Sequence, residues 1–554
     1  MLKNDSLDVT ENTPIDSNRT NEIANKRKSF KHYFKKYLIP KIKKNYLIIL
    51  IVILSAIIRF IAAWYAGGFV HPDEVFQSLE MIHYRIYGEY GNGQTIPWEY
   101  DESYQYGGAR SWFFVLVLTV LYRFIMLFGT SDPLVLIFFA RLFLSFFSIT
   151  TVIVAYLFGK EIFSKQVGLV SAFLCGIWWF FPFWAARTMT DSIASDLLFL
   201  SIFLVYKSIK LKDRKKSIIA STISGITLGF AFMLRFPSGL MGFPLIITLI
   251  VQAIKKSRES PKENMEQKRS KQFLIAFLPT ISFALASIFM VLCQGFLDLA
   301  TWGDFLQSPI NFFMYNIVEG KSAIHGVAKW SHYLYGFYND FALEYLPFFL
   351  VFFAIGLRFK DKWKTKTWVW AIVLFWIVLF SMLAHKEFRF IFIVLPLCFI
   401  FVANGIVFFA DLVKNKTLKH VILVAILAIF SASSLTISLY NKNWYWNFNS
   451  GICNAMYHVG QQEDSERIVV FETVWYTGGY AFLDKNITIY FIKVNPLFAL
   501  STYNSTFFRQ LYAMNGTYCV VRSHEHLFVQ SILVSLGMNN TAVIEGNPTA
   551  YVYS

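Results

Sequence analysis

From Tyr46 to Tyr65 the chain reads YLIILIVILSAIIRFIAAWY, and shortly afterwards comes His71-Pro72-Asp73-Glu74. Crossing a bilayer as a helix takes ~20 mostly apolar residues. The first stretch meets that length and is interrupted only by Arg59. It lies too far from the start to be a cleaved leader, has no small-residue cleavage site, and is followed by many similar runs. The chain is therefore read as a mainly α, polytopic transmembrane protein. Its chemistry is sought where ionisable residues leave the apolar runs.

Composition agrees. Of 554 residues, 56% are hydrophobic, 19% aromatic and only 16% charged, whereas soluble domains average about 25% charged. The net charge of +16 does not point to nucleic acid. Its lysines and arginines sit in short blocks between apolar runs: Lys26 to Lys44, Lys207 to Lys216, Lys255 to Lys271, Lys360 to Lys366 and Lys414 to Lys419. That is the positive-inside pattern of cytosolic connectors.

Placing every basic block on one side predicts about eleven spans. They fall near 45–66, 136–158, 166–184, 193–210, 217–234, 240–254, 273–293, 344–358, 367–384, 390–410 and 420–439. The apolar run Trp112 to Phe128 does not fit this count, and is expected to dip into or lie along the luminal face. The alternative is that it spans and another run, such as 166–184, does not. The segments 67–135, 185–192, 235–239, 294–343 and 385–389 then face the lumen.

This divides the chain into a cytosolic tail 1–44, polar and disordered to Ser29, a transmembrane module 45–440, and a luminal domain 441–554. Sequons at Asn486, Asn504, Asn515 and Asn539 favour a luminal tail, while Asn547 is followed by Pro548 and is blocked. In the tail, Ile468–Phe471, Ile487–Ile492, Tyr518–Val521 and Thr541–Glu545 read as strands. The stretches Phe507–Met514 and His526–Leu536 read as helices, giving a small α/β unit. The five cysteines show no metal spacing; Cys453 and Cys519 are free to pair or not in an oxidising compartment.

The luminal segments carry the candidate chemistry. Asp73 and Glu74 emerge together from the first span, where ionisable groups are costly unless they have a task. One is suited to act as general base towards a hydroxyl, the other to position the acceptor or a basic partner. His71 and Gln77 flank them. In the same segment Pro97-Trp98-Glu99-Tyr100 sets an aromatic beside a carboxylate, as in a sugar site or an interfacial belt. Arg110 either neutralises a phosphate or pairs with Asp73 or Glu74. Arg187 and Asp191, Arg235, and the run His385-Lys386-Glu387-Phe388-Arg389-Phe390 fall at the same level. Many fixed cations suit an anionic lipid-phosphate leaving group, although a short charged connector also serves for solvation alone. Segment 294–343, with Asp298, Trp302, Asn311, Tyr315, His325 and Trp330, interleaves polar and aromatic groups as a substrate groove needs. No P-loop, GxSxG or HExxH occurs, and no metal site is visible.

Three of these motifs, His71-Pro72-Asp73-Glu74, Pro97-Trp98-Glu99 with Arg110-Ser111, and His385-Lys386-Glu387-Phe388-Arg389-Phe390, together resemble glycosyltransferase family 22. So do the stretches from Asp298 to Tyr335 and around Arg187-Thr188. The resemblance covers roughly residues 45–410. It implies a GT-C fold in the endoplasmic reticulum membrane, with dolichyl-phosphate mannose as donor and a lipid-linked glycan as acceptor. The implied reaction is an inverting transfer that makes an α-mannosidic bond without a cofactor. Carried over residue by residue, it makes Asp73 the first choice for base and Glu74 the second. Arg110, Arg187, Arg235, His385, Lys386 and Arg389 become candidates for the donor phosphate. His71, Gln77, Trp98, Glu99 and Glu387 complete the expected donor and acceptor contacts. The first-loop motifs are similar to the enzyme adding a fourth mannose to a GPI precursor. The HKEFRF run is similar to the third-mannose enzyme and to N-glycan precursor enzymes. Competing classes are a transporter, which places ionisable groups near the midplane, and a non-catalytic assembly subunit.

Overall fold

The structure, a computed structural model, describes residues 39–90, 96–259, 266–358, 362–492 and 506–554. The expected disorder up to Ser29 and the sequon at Asn504 lie outside them. Among the described residues, ten helices are long and apolar enough to cross a membrane, and the protein is a multi-pass membrane protein. They are Asn45–Tyr65, Pro133–Ile162, Thr190–Lys210, Arg214–Leu234, Phe236–Arg258, Gln272–Thr301, His332–Leu357, Trp363–Ser381, Val394–Asp411 and Lys416–Asn441.

Side-chain contacts mark the two ends of this bundle. At one end Arg235, which ends a helix, pairs with Asp191, which begins another. Asp191 also meets Arg389, and Arg389 meets Asp73 beyond the first helix. At the other end Lys207 pairs with Glu161, and Lys362 donates to the carbonyls of Ile162 and Phe163. The described basic connectors lie at this second end, away from the acidic and aromatic cluster.

The expected span 166–184 is a shorter helix, Lys165–Ile177, followed by a break and the small helix Phe180–Ala185. It starts beside Phe163. Beyond its end, Trp178 donates through Nε1 to the Phe341 carbonyl, 3.2 Å away, and the chain reaches Arg187 at the acidic end. With it, eleven segments run from end to end. The helix Phe113–Met126 does not. Ser111 at its start bonds Gln294 at 2.8 Å, Arg123 in its last turn donates to the Ile86 carbonyl at 3.3 Å, and Asp132 just beyond accepts from the Tyr457 hydroxyl at 2.9 Å. All three partners lie at the acidic end, so this apolar helix returns to the end it left. The span expected at 273–293 continues to Thr301, which shortens the second large connector.

Residues beyond Asn441 build a five-stranded sheet: β1 Arg467–Phe471, β2 Thr488–Phe491, β3 Thr517–Arg522, β4 Asn540–Ile544 and β5 Ala550–Tyr553. Its order is β2-β1-β3-β5-β4, with β1 parallel to β2 and β3, and β5 antiparallel to β3 and β4. Four of the strands stand where the sequence places them. β5 carries the alternation Ala-Tyr-Val-Tyr at the chain end and was not expected. Cys453 and Cys519 are free and buried, so they do not pair; Cys519 faces the sulfur of Met538 at 3.6 Å. The asparagines of the three described sequons, Asn486, Asn515 and Asn539, are exposed.

One face of this sheet, through Ile468, Val470, Val520 and Val552, joins the same continuous apolar core as the bundle. The other face, through Val469, Phe471 and Val521, has its own smaller core under the helix Ser523–Ser535. The alternation along β1 and β3 divides the two faces, as a strand period of two requires. The C-terminal unit is thus packed onto the bundle rather than tethered to it.

Candidate active site

The segment between the first span and the helix starting at Val75 is held from below. Arg141 donates to the carbonyls of Ala66 and Gly68. Gly68 has a φ of +49°, and a Cβ there would lie 2.1 Å from the Phe448 carbonyl, so only glycine lets the tail backbone approach so closely. Phe69 then donates to that carbonyl at 2.9 Å. Pro72 opens the helix, whose first turn, Val75–Leu79, is a widened π-type turn before Glu80–Tyr87. Turns of this kind recur at functional sites.

The two neighbouring carboxylates part company here. Glu74 is 1% exposed. Its Oε1 accepts from the backbone N–H of Val70 at 2.7 Å and of His71 at 3.1 Å, and its Oε2 lies 3.7 Å from Arg187. Asp73 is 22% exposed in its side chain and faces a cleft of about 200 Å³ lined also by Gln77, Ser78, Phe114, Thr188–Asp191 and Arg389. Its Oδ2 meets Arg389 at 2.9 Å and its Oδ1 meets His71 Nδ1 at 3.3 Å. Burial pushes the Asp73 carboxyl up, but the His71 and Arg389 charges outweigh it and hold the group well below the usual carboxylate range. Asp73 therefore stays ionised at the cleft wall.

Arg389 is the hub. Glu387 lies against it with both oxygens: Nη2 donates to Oε1 at 2.8 Å, and Oε2 lies 2.7 Å from Nε as a close ion pair. Its Nη1 lies 3.5 Å from Asp191, which also pairs with Arg235. His385 bonds Glu387 at 3.0 Å through Nε2 and the Gly326 carbonyl at 3.0 Å through Nδ1. Burial raises the Glu387 carboxyl, but Arg389, the His385 hydrogen bond and His71 bring it far below its ordinary value. The Arg235 guanidinium stacks 4.4 Å from the Phe390 ring. Burial, and then the neighbouring Arg389 and Arg110 charges, pull it down to about 9, so it remains a cation at neutral pH.

A second cluster flanks the first. Gln77 donates to Glu99 at 2.8 Å and accepts from Arg110, which itself lies 3.6 Å from Glu99. Burial raises the Glu99 carboxyl, with Arg110 opposing. Trp98 stacks on Tyr315 with ring centroids 3.9 Å apart. Tyr315 reaches His325 at 3.3 Å, Trp302 donates to the Arg110 carbonyl at 3.1 Å, and Asn311 donates to the Gly107 carbonyl at 2.7 Å. The two large connectors are thereby knitted into one wall.

Of the residues singled out from sequence, His71, Asp73, Gln77, Glu99, Arg110, Arg235, His385, Glu387 and Arg389 meet in this network, with Trp98 at its rim. Three do not reach the cleft. Arg187 is 0% exposed; it donates to the carbonyls of Gly67, Tyr445 and Trp446 and lies 4.6 Å from the Phe183 ring. Burial pulls its guanidinium down to about 10, with Glu74 opposing. Lys386 donates through Nζ to the carbonyls of Ala328 and Leu383. Glu74 is enclosed as described. In this structure Arg187, Lys386 and Glu74 thus face backbone groups and not the cleft, where the expected donor-phosphate contacts and base would lie. Asp191, visible in the sequence as one more ionisable group at this level but given no role, is the bridge between Arg235 and Arg389. Its signal was its place on the first turn of a span, four residues beyond Arg187. Among the described residues, no metal-ligand cluster lies at the cleft.

Residues 50–484 match the model of the Alg9-like mannosyltransferase family, and the chain belongs to that family. It is 26% identical over 333 residues to the GPI alpha-1,2-mannosyltransferase 3 of Bos taurus, covering 60% of this chain and 54% of that protein. It is 24% identical over 344 residues to the mannosyltransferase APTG1 of Arabidopsis thaliana, covering 62% and 56%. The chain thus spans about half the length of the curated relatives it matches. In fold it is similar to ArnT from Cupriavidus metallidurans, solved bound to undecaprenyl phosphate. The TM-score is 0.57 at 11% identity, over 92% of this chain and 98% of that one. The architecture is the GT-C fold.

Proposed function

We propose that this member of the Alg9-like mannosyltransferase family moves mannose from dolichyl-phosphate mannose to a lipid-linked glycan, at the luminal face of the endoplasmic reticulum membrane. The names of its relatives favour a GPI-anchor precursor as acceptor. The observation that carries the reading is Asp73: a carboxylate kept ionised, open to the cleft, and oriented by an arginine that two other carboxylates, Glu387 and Asp191, hold in place.

The acceptor hydroxyl hydrogen-bonds to Asp73 and attacks the mannose anomeric carbon from the face opposite the phosphate. The carbon–oxygen bond to phosphate breaks, its electron pair leaves with the phosphate, and Asp73 takes the hydroxyl proton. One displacement inverts the anomeric centre. Arg235, Arg110 and His385 are the cations disposed towards a leaving phosphate, whose charge grows as the bond breaks. The groups of the candidate site gather at one end of the bundle, while Arg59 and Asp196 are buried within it; an open carboxylate set against Arg389 at that end supports transfer over transport.

The test is an assay of the purified full chain with radiolabelled dolichyl-phosphate mannose. The acceptor panel contains a mannosylated GPI precursor and a mannosylated dolichyl-diphosphate glycan. Transfer to the GPI precursor is expected. Transfer only to the dolichyl-linked glycan would move the protein to the other acceptor class, and transfer to neither would remove the proposed activity.

A further inference from the structure

The C-terminal sheet turns its parallel strand ends towards the catalytic helix. β1 connects to β2 on one side, and the chain then returns to place β3 on the other side of β1. Such a reversal leaves a crevice outside the carboxyl ends of the two strands, where open parallel sheets bind ligands. Two links fix its direction. Arg522, at the end of β3, donates to Asn449 at 3.3 Å, and Asn449 donates to the Phe69 carbonyl at 3.3 Å. Trp475, in the loop after β1, meets Phe76 edge to face with centroids 5.1 Å apart. Phe69 and Phe76 bracket Asp73. The strand ends therefore pack against the start of the helix that carries Asp73.

That loop is clamped. Glu80, 1% exposed on the catalytic helix, accepts from the Ala481 N–H at 2.8 Å. Gly479, at φ +58°, lies so close that a Cβ there would be 2.6 Å from the Glu80 carboxylate. Yet Trp475 and Tyr476, just before these anchors, remain 38% and 42% exposed. Large aromatic faces left open on a fixed loop carry a hydration cost that a ligand removes. At the strand ends Glu472 is paired with Arg522. Glu525 meets His524 at 2.7 Å through Oε1, while its Oε2 is buried with no hydrogen-bond partner. Leaving a buried carboxylate oxygen unpaired is costly, and a hydroxyl donor would satisfy it.

Open aromatic faces beside an under-satisfied carboxylate match a carbohydrate, whose C–H faces are apolar and whose edges carry hydroxyls. A bare cation fits less well, because Arg522 already neutralises Glu472. We infer that the crevice between β1 and β3, with Trp475, Tyr476 and Glu525, is a subsite for acceptor sugars remote from the reacting hydroxyl. This rests on the glycosyltransferase reading above. The family match ends at residue 484, so β3, His524 and Glu525 lie beyond it. One half of the subsite comes from the shared region and the other from sequence outside it, which suits a determinant of acceptor choice.

The full chain is assayed with dolichyl-phosphate mannose and two synthetic acceptors, an octyl α-mannoside and an octyl α-mannotrioside. Binding of the trioside is measured separately by thermophoresis. For Tyr476→Ala and Glu525→Gln, the preference for trioside over monosaccharide in kcat/KM falls about tenfold through KM, and trioside binding weakens in parallel. Trp475→Phe, which keeps a ring against Phe76, loses less than Trp475→Ala. An unchanged preference in a wild-type-active background overturns the subsite. Loss of wild-type activity on chelation, restored by zinc, overturns it in favour of a metal at Glu472, His524 and Glu525. Trioside binding that depends on Tyr476, with no transfer to the trioside or to either lipid-linked acceptor of the panel above, keeps the subsite and overturns the reaction.

Discussion

Two arginine–carboxylate sites lie back to back across residues 70–74 and share one short stretch of chain. On one side Arg389 meets Asp73, Glu387 and Asp191; on the other Arg187 meets Glu74. Both arginines are buried. What differs is what completes their shells. Arg389 is surrounded by side chains, one of which opens to the cleft, whereas Arg187 is completed by carbonyls of the first connector and of the tail. A shell of side chains can exchange partners when a substrate arrives. A shell of carbonyls fixes two segments of backbone relative to each other. Two carboxylates one position apart in sequence, each paired with an arginine, thus face a cleft in one case and the backbone in the other.

The sharpest way to break this contrast is Asp73→Asn. Transfer should fall by a factor on the order of 10²–10⁴, the usual contribution of a general base, while the thermal midpoint is kept, because Arg389 retains Glu387 and Asp191. A wild-type rate in this variant would move the chemistry elsewhere.

Arg187→Leu should do the opposite. It leaves Glu74 buried without its cation, a change that costs about 3–5 kcal/mol of stability, read as a lower melting temperature and a lower yield of folded protein. Inactive protein with an unchanged melting temperature would place Arg187 at the substrate and erase the distinction.

Arg235→Gln tests the cleft's cation. The expected change is about a tenfold rise in KM for the donor, with acceptor KM little affected. An effect confined to the acceptor would reverse the assignment of that wall.

The smallest effect is a pH dependence. The hydrogen bond to Glu387 raises His385 above its ordinary 6.5, with burial opposing. The folded group therefore binds its proton more tightly than the unfolded one. Its stabilisation is complete below pH 6.5 and fades as pH rises through the raised value. The melting-temperature advantage of wild type over His385→Gln should shrink between pH 6 and pH 9; an advantage that grows over that range contradicts the arrangement.

Much of the fold was legible because lipid enforces it. Apolar runs of sufficient length have to be helices, and the basic connectors oriented them. The same charge count singled out Trp112–Phe128 as a run that does not cross, although its composition resembles that of any span. The site was legible as a collection of residue types at one level. It was not legible as a set of partners. Asp191 carried no motif, and nothing local separates Asp73 from Glu74 or Arg389 from Arg187. β5 was missed because its four residues alternate too briefly to register without the strands on either side.

Sequence by itself thus determined the helical bundle, the side of it that holds the ionisable residues, and the family to which they belong. The reason is that hydrophobic length and charge asymmetry act locally, within each run. Tertiary structure alone decided which carboxylate faces the cleft, which arginine is sealed, and that the C-terminal sheet presents its strand ends to the helix that carries Asp73. Those outcomes depend on contacts between segments hundreds of residues apart, such as Phe69 with Phe448 and Glu80 with Ala481, and burial in three dimensions sets them.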